Sequence, residues 1–298
     1  MALDDVLQAV PALRGGSAEP LSGGLTNTNY KVTSPVGAFV VRIAGRDTGL
    51  LAIDRENEVY NTIAASETGV GATFVAALPE HDALVLEFLE GEVMDAATLR
   101  RGDRLPAIAD ACRRLHAGRR FLRDFDMFDV QRRYLDVVRE RGFRLPRRYL
   151  ELEPAVRRLE DALRARPEQT VPCNNDLLAE NFIDVGGTMR LIDYEYSGNN
   201  EPSFELGNVW SESNLSLDQL EELVARYYGV ASRAKVARAR LWGLIAKYGW
   251  TLWGSIQQSV SEIEFDFWEW AMEKYERALE EFDGPDYDAL LLDAANGD

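Results

Sequence analysis

Hydrophobic and polar positions change rhythm once along the chain, between residues 90 and 93. Before that point, short apolar and β-branched runs alternate with glycine turns. "AEPLSGGLTNTNYKVTS" predicts strand, glycine turn and strand, and "GAFVVRIAG" predicts a third strand. "TFVAAL" and "ALVLEFLEG" predict two more, the last ending near Gly91. Between them, residues 49–71 carry helical apolar spacing at Leu51, Ile53, Val59, Ile63 and Ala64, with Gly69 and Gly71 to stop the helix. After the change the period is helical, over 103–117, 131–141, 153–166, 204–213, 216–229, 231–248, 250–261 and 265–282. Two short strands, 181–185 and 188–193, interrupt it and meet at Gly186-Gly187, a hairpin signal.

The expected organisation is α+β: a small β-rich N-terminal lobe with one helix (1–90) and a large, mainly helical C-terminal lobe (91–298). A cleft between two such lobes is a natural ligand site. The last dozen residues are acidic and are expected to be loosely held.

Composition narrows the chemistry. At 298 residues, with 46% hydrophobic and 28% charged positions, the chain reads as a soluble globular enzyme. No apolar run approaches the ~18 residues of a membrane-spanning helix. Two aspartates in "MALDDVLQAV" stand where an export signal carries positive charge, so a cytoplasmic protein is expected. Two cysteines and two histidines leave little for a disulfide framework, a zinc site or a Ser-His-Asp triad. Carboxylates must carry the chemistry. The net charge of −17 argues against nucleic-acid partners. Fifteen arginines against seven acids in 100–148, and two basic residues against thirteen acids in 251–298, read as solvated helix faces.

"VPCNNDLLAENFID" (171–184) places Asp176 five residues before Asn181, just ahead of an apolar run. Asp and Asn crowd into ordinary turns. The same spacing serves phosphoryl transfer, where the Asp takes the proton of an attacking hydroxyl and the Asn holds magnesium. Asp193, in "LIDYEYSG", ends the second hairpin strand, where a carboxylate could hold the ion from another side. In the N-terminal lobe, "SGGLTNTNY" supplies Ser22, Gly23, Gly24, Thr26 and Asn27 in a turn whose bare backbone could lie over phosphates. No G-x-x-x-x-G-K-[ST] loop occurs. Arg42 interrupts an apolar strand; it points outward or reaches a phosphate. Glu56 on the next helix could pair with it, with Glu58 the competitor on another face.

All six tryptophans lie beyond residue 209. Trp250 and Trp253 share a helix face, and Phe267 and Trp270 repeat that spacing. Such residues ordinarily build a core, which is the reading for Trp242 and Trp268. Large aromatics beside carboxylates also suit a cationic ligand, because a quaternary ammonium has no N–H and is held by aromatic faces and diffuse negative charge.

Together, "NNDLLAENF", "LIDYEYSGNNEPSFELGN", "WTLW" and "IEF" resemble the choline/ethanolamine kinases, a branch of the aminoglycoside-phosphotransferase-like group with a protein-kinase-like two-lobe fold. The resemblance runs over almost the whole chain. It implies ATP and magnesium as cofactors and choline as acceptor, ahead of ethanolamine, thiamine or an aminoglycoside, and phosphocholine as product. A catalytically inactive binding module is the alternative of another class. By this resemblance Asp176 is the catalytic base and also touches substrate, Asn181 and Asp193 bind magnesium, and Arg42 with Glu56 positions phosphates. Backbone groups of Glu87 and Leu89, in the hinge "LEFLEG", meet adenine, and Glu195, Tyr196, Glu212, Trp250, Trp253 and Trp270 form the acceptor site. The family's loop usually begins His-Asn-Asp, whereas Asn174-Asn175-Asp176 stands here, a departure that bears on loop rigidity. His116 is read as structural.

Overall fold

The computed structural model describes residues 2–22, 24–45 and 49–297. It opens with a helix, α1 (Ala2–Ala9), followed by β1 (Ser17–Leu21), β2 (Thr28–Ser34) and β3 (Gly37–Ile43). Next come α2 (Arg55–Glu67), β4 (Phe74–Leu78) and β5 (Ala83–Glu87). The strands form one antiparallel sheet in the order β1-β2-β3-β5-β4, with Arg42 of β3 opposite Leu84 of β5. Val32, Val41 and Val85 share a core with Val6, Val10 and Leu13. The lobe therefore has two helices where one was expected: α1 is too short for a sustained period, and its apolar residues become legible only against the sheet.

Helix α2 begins later than the apolar period predicts. Asp54 caps it by accepting from Asn57 N–H at 3.2 Å, which leaves Leu51 and Ile53 in the preceding loop. Its inward face is mostly polar (Asn57, Glu58, Asn61, Thr62), ending in Ala64 and Ala65. Asn57 Nδ2 and Asn61 Nδ2 both donate to the carbonyl of Ser197, at 2.8 and 3.1 Å. The helix is thus hydrogen-bonded to the second lobe, and hydrophobic period is a poor guide to which of its residues face inward.

The second lobe starts with β6 (Glu92–Val93), α3 (Ala96–Leu99), α4 (Leu105–His116), α5 (Met127–Arg141) and α6 (Glu153–Ala165). Then β7 (Val171–Cys173), β8 (Phe182–Val185), β9 (Thr188–Leu191) and β10 (Gly198–Asn200) form two small sheets, β7 with β10 and β6 with β8 and β9. The lobe closes with α7 (Pro202–Ser213), α8 (Leu217–Tyr228), α9 (Arg233–Val260), α10 (Phe267–Phe282) and α11 (Tyr287–Asn296).

Two expectations change here. The predicted helices 231–248 and 250–261 are one helix, α9, 28 residues long. No proline interrupts it, and its glycines serve packing: a Cβ on Gly243 of α9 would lie 2.6 Å from the Gly207 carbonyl of α7, so only hydrogen fits at that crossing. The acidic last dozen residues mostly form α11, anchored by buried Tyr287, Leu291 and Ala294. Among the described residues, no helix is long and apolar enough to cross a membrane.

Candidate active site

Two loops meet between the lobes. The first, residues 174–181, connects β7 to β8; the second, 192–197, connects β9 to β10. Asn174 ties them. Its Nδ2 donates to the carbonyls of Ile192 and Asp193 at 3.1 and 2.7 Å, and its Oδ1 accepts from Asp176 N–H at 3.0 Å. The asparagine found at the usual histidine position therefore fixes the loop. Glu205 of α7, fully buried, accepts from Asn174 N–H at 2.7 Å and Asn175 N–H at 3.0 Å. Asn208, one turn on, accepts from Leu177 N–H at 2.6 Å. Asn175 and Asp193 both hold left-handed backbone, φ 67° and 60°, a conformation that Asn and Asp tolerate best among side-chain-bearing residues.

His116 does not line the cavity described below. Its Nδ1 lies 2.7 Å from Tyr227 OH and its Nε2 3.5 Å from Glu205 Oε1, beneath the loop. Neither Glu205 nor Asn208 was singled out from sequence. The available signal was a pair of polar residues three apart on a helix, in "FELGN", which the structure buries whole.

A cavity of about 520 Å³ opens against these loops. Asp176, Asn181 and Asp193 line it on one side, with Glu195, Tyr196, Glu212, Trp250, Trp253 and Trp270 around the rest. The predicted catalytic, metal and acceptor residues thus converge on one space. Burial raises the Asp176 carboxyl well above its ordinary value, and the charges of Asp193, Glu212 and Glu195 add to the shift. Asn181 Nδ2 donates to the Asp176 carbonyl at 2.7 Å, which leaves its Oδ1 as the free acceptor. Asp193 gives one oxygen to Arg42 Nη1 at 2.6 Å and keeps the other. An amide oxygen and a carboxylate oxygen are the hard donors magnesium requires, so these residues fit such an ion.

The Arg42 partner is a correction. Arg42 pairs with Glu58, and Glu56 instead meets Arg123 at 3.4 Å. With the helix starting at Arg55, Glu58 falls on the buried face, its side chain 3% exposed, while Glu56 is 78% exposed. Arg42 so bridges Glu58 and Asp193 across the lobes. Arg55 forms a second bridge, 2.6 Å from Glu58 Oε2 and 3.6 Å from Glu195.

The glycine turn reaches the cavity with Gly24, Thr26 and Asn27; Ser22 does not line it, and Gly23 lies outside the described residues. A Cβ on Gly24 would sit 2.5 Å from the Asn27 carbonyl, so the turn packs on itself too tightly for a side chain there. Asn27 itself is committed: its Nδ2 donates to Glu195 Oε2 at 2.9 Å and its Oδ1 accepts from Arg55 Nη2 at 3.1 Å. Glu87 and Leu89 do not line this cavity. Glu87 N–H donates to the Thr73 carbonyl at 2.9 Å, so its amide is already committed.

The aromatic wall is built from α9, α10 and the second loop. Trp253 Nε1 donates to Tyr196 OH at 2.9 Å, Tyr196 meets Trp250 edge to face at 5.0 Å, and Trp253 lies 5.1 Å from Trp270. Phe265, not singled out from sequence, adds a ring, whereas Phe267 is core, 1% exposed. Trp242 is core as expected, whereas Trp268 is half-buried with Arg144 stacked 3.8 Å above it.

Comparison with known proteins identifies the family. The choline/ethanolamine kinase family model matches residues 18–228. The chain is 26% identical over 264 residues to ethanolamine kinase 2 of Rattus norvegicus, covering 79% of this chain and 68% of that one. A choline/ethanolamine kinase family protein from Mesorhizobium loti superposes with TM-score 0.86 at 30% identity over 100% of both chains. Choline kinase LicA from Streptococcus pneumoniae follows at TM-score 0.80 and 24% identity, over 94% of this chain and 98% of that one. The protein is a nucleotide-using phosphotransferase of protein-kinase-like fold, and it belongs to the choline/ethanolamine kinase family.

Proposed function

We propose that this protein is an ATP- and magnesium-dependent choline kinase that makes phosphocholine. The observation that carries this reading is the aromatic wall of Tyr196, Trp250, Trp253 and Trp270 in the same cavity as Asp176. A trimethylammonium group seated against those rings would turn its hydroxyl arm toward the loops. Asp176, its proton affinity raised by burial, accepts the hydroxyl proton as the oxygen attacks the γ-phosphorus in line and the bond from that phosphorus to the bridging oxygen breaks, releasing ADP. Arg42, held by Glu58, faces the phosphates, and the part of the glycine turn that reaches the cavity, with Gly24, Thr26 and Asn27, covers them. Asn181 and Asp193 would hold magnesium, which would supply neutralisation of phosphate charge. The Glu87 carbonyl and the Leu89 backbone meet adenine. The loops are fixed in advance by Asn174, Glu205 and Asn208, so most of the catalysis is positioning and electrostatics. ATP and a small polar acceptor are both supplied in the cytoplasm, where the enzyme would act.

Ethanolamine is the second reading. Glu212 Oε1 is buried at the cavity with no hydrogen-bond partner among the described residues, an acceptor that a primary ammonium could use. A substrate panel with ATP and magnesium decides between them. kcat/KM is expected to be highest for choline, lower for ethanolamine, and negligible for thiamine and an aminoglycoside. A preference for ethanolamine would reverse the assignment.

A further inference from the structure

Lys274, one turn beyond Trp270 on α10, is a buried cation that the mechanism above does not use. Its ammonium contacts Glu212 Oε2 and lies 4.2 Å from the centre of the Trp270 ring. Lys274 does not itself line the cavity, but both of its partners do. The chain's own ammonium therefore makes, from behind, the carboxylate-and-indole contact that a substrate ammonium would make from in front.

Two consequences follow for Glu212. Its charge is offset, and at Asp176 the fields of Glu212 and Lys274 act in opposite directions. One of its oxygens is also committed, which leaves Oε1 alone for any ligand. A primary ammonium entering the cavity gives up several hydrogen bonds to water and needs acceptors in exchange; a quaternary ammonium needs none. A carboxylate already paired with lysine is a poor replacement for that water, and the rings of Trp250, Trp253 and Trp270 are not acceptors at all.

We propose that Lys274 is a positioning residue that sets acceptor preference: by holding and neutralising Glu212, it leaves the cationic end of the substrate to the aromatic faces and so favours the methylated ammonium over the primary one. This rests on the amino-alcohol kinase reading. The test is steady-state kinetics with ethanolamine, N,N-dimethylethanolamine and choline for the wild type, Lys274→Met, Lys274→Arg, Glu212→Gln and the double variant Glu212→Gln/Lys274→Met. In Lys274→Met the lone carboxylate rewards N–H donors, and the ratio of KM for ethanolamine to KM for choline is expected to fall about threefold to tenfold. Dimethylethanolamine should fall between, and Lys274→Arg should restore the wild-type ratio. General damage to α10 would lower kcat on all three substrates without moving that ratio. An unchanged ratio in Lys274→Met overturns the inference. Should that variant not fold, the double variant carries the test, because removing Lys274 once its partner carboxylate has become a neutral amide lifts an uncompensated positive charge from the cage. It is expected to bind both cations more tightly than Glu212→Gln alone, and equal or weaker binding overturns the inference. A wild-type enzyme inactive on all three amino-alcohols would instead overturn the reading on which the inference rests.

Discussion

Asn174 donates its side-chain amide to the Asp193 carbonyl at 2.7 Å, joining the loop of the candidate base to the loop of the candidate metal ligand through one short side chain. The same side chain accepts from the Asp176 backbone at 3.0 Å. Asn174→Ala removes both of these ties and the one to the Ile192 carbonyl, while keeping the Asp176 side chain. We expect kcat to fall roughly tenfold or more, as misplaced reacting groups commonly cost, with KM for ATP little changed. Wild-type kcat in that variant would mean that Glu205 and Asn208 suffice to hold the loop.

The Arg42–Glu58 pair separates two glutamates two residues apart. Glu58→Gln leaves the buried Arg42 guanidinium with Asp193 as its remaining carboxylate, and should lower kcat/KM for ATP by roughly tenfold or more. Glu56→Gln touches only a pairing with exposed Arg123 and should stay within about twofold of wild type. Equal effects of the two substitutions would contradict the geometry.

The aromatic wall separates choline from ethanolamine. Removing one ring face, in Trp250→Ala or Trp253→Ala, should weaken choline by about 0.5–2 kcal/mol beyond lost packing. Ethanolamine can donate hydrogen bonds instead, so its KM should rise several-fold less. Because the comparison is made within each variant, loss of stability in α9 cancels. Equal losses on both substrates would reduce these tryptophans to core residues.

Lys247, buried on α9 with its ammonium 3.9 Å from the Trp210 ring centre, is held by desolvation to a pKa of about 7. Arg277 pushes it the same way, and Glu281 and Glu212 oppose. The unfolded side chain titrates near 10.4. Below about pH 7 both states are protonated and the folded protein bears the whole cost of a buried charge. As pH rises from about 7 toward 10.4, the folded state loses its proton first and that cost is relieved. Lys247→Met should therefore raise Tm at pH 6 and raise it progressively less toward pH 10, in thermal melts across that range. A gain that does not depend on pH would contradict the depressed pKa.

Local spacing made part of this site legible in the sequence. Asp176 and Asn181 stand five apart because one short loop carries both, and Trp250 and Trp253 share a face because helical period places them together. The β-strands around the glycine turn were equally plain, since alternation and turn chemistry are local signals. Choosing Glu58 over Glu56 was different: it depended on where α2 begins, which the Asp54 cap decides, and on a buried face that is polar. The support from Glu205 and Asn208, and the pairing of Lys274 with Glu212, join residues 30 to 62 positions apart, and only packing reveals them. The continuity of α9 was hidden for a related reason, because glycines that read as breaks are contact points against neighbouring helices.

The central claim is that Asp176 takes the hydroxyl proton of choline during phosphoryl transfer from ATP. The direct measurement is phosphocholine formed per unit time, followed by phosphorus NMR with ATP, magnesium and choline, for the wild type and Asp176→Asn. Wild-type enzyme should convert choline to phosphocholine with matching ADP, and the variant should be slower in kcat by roughly 10²–10⁴ with a similar KM for ATP. No phosphocholine from the wild type, or a variant retaining more than about a third of wild-type kcat, would contradict it.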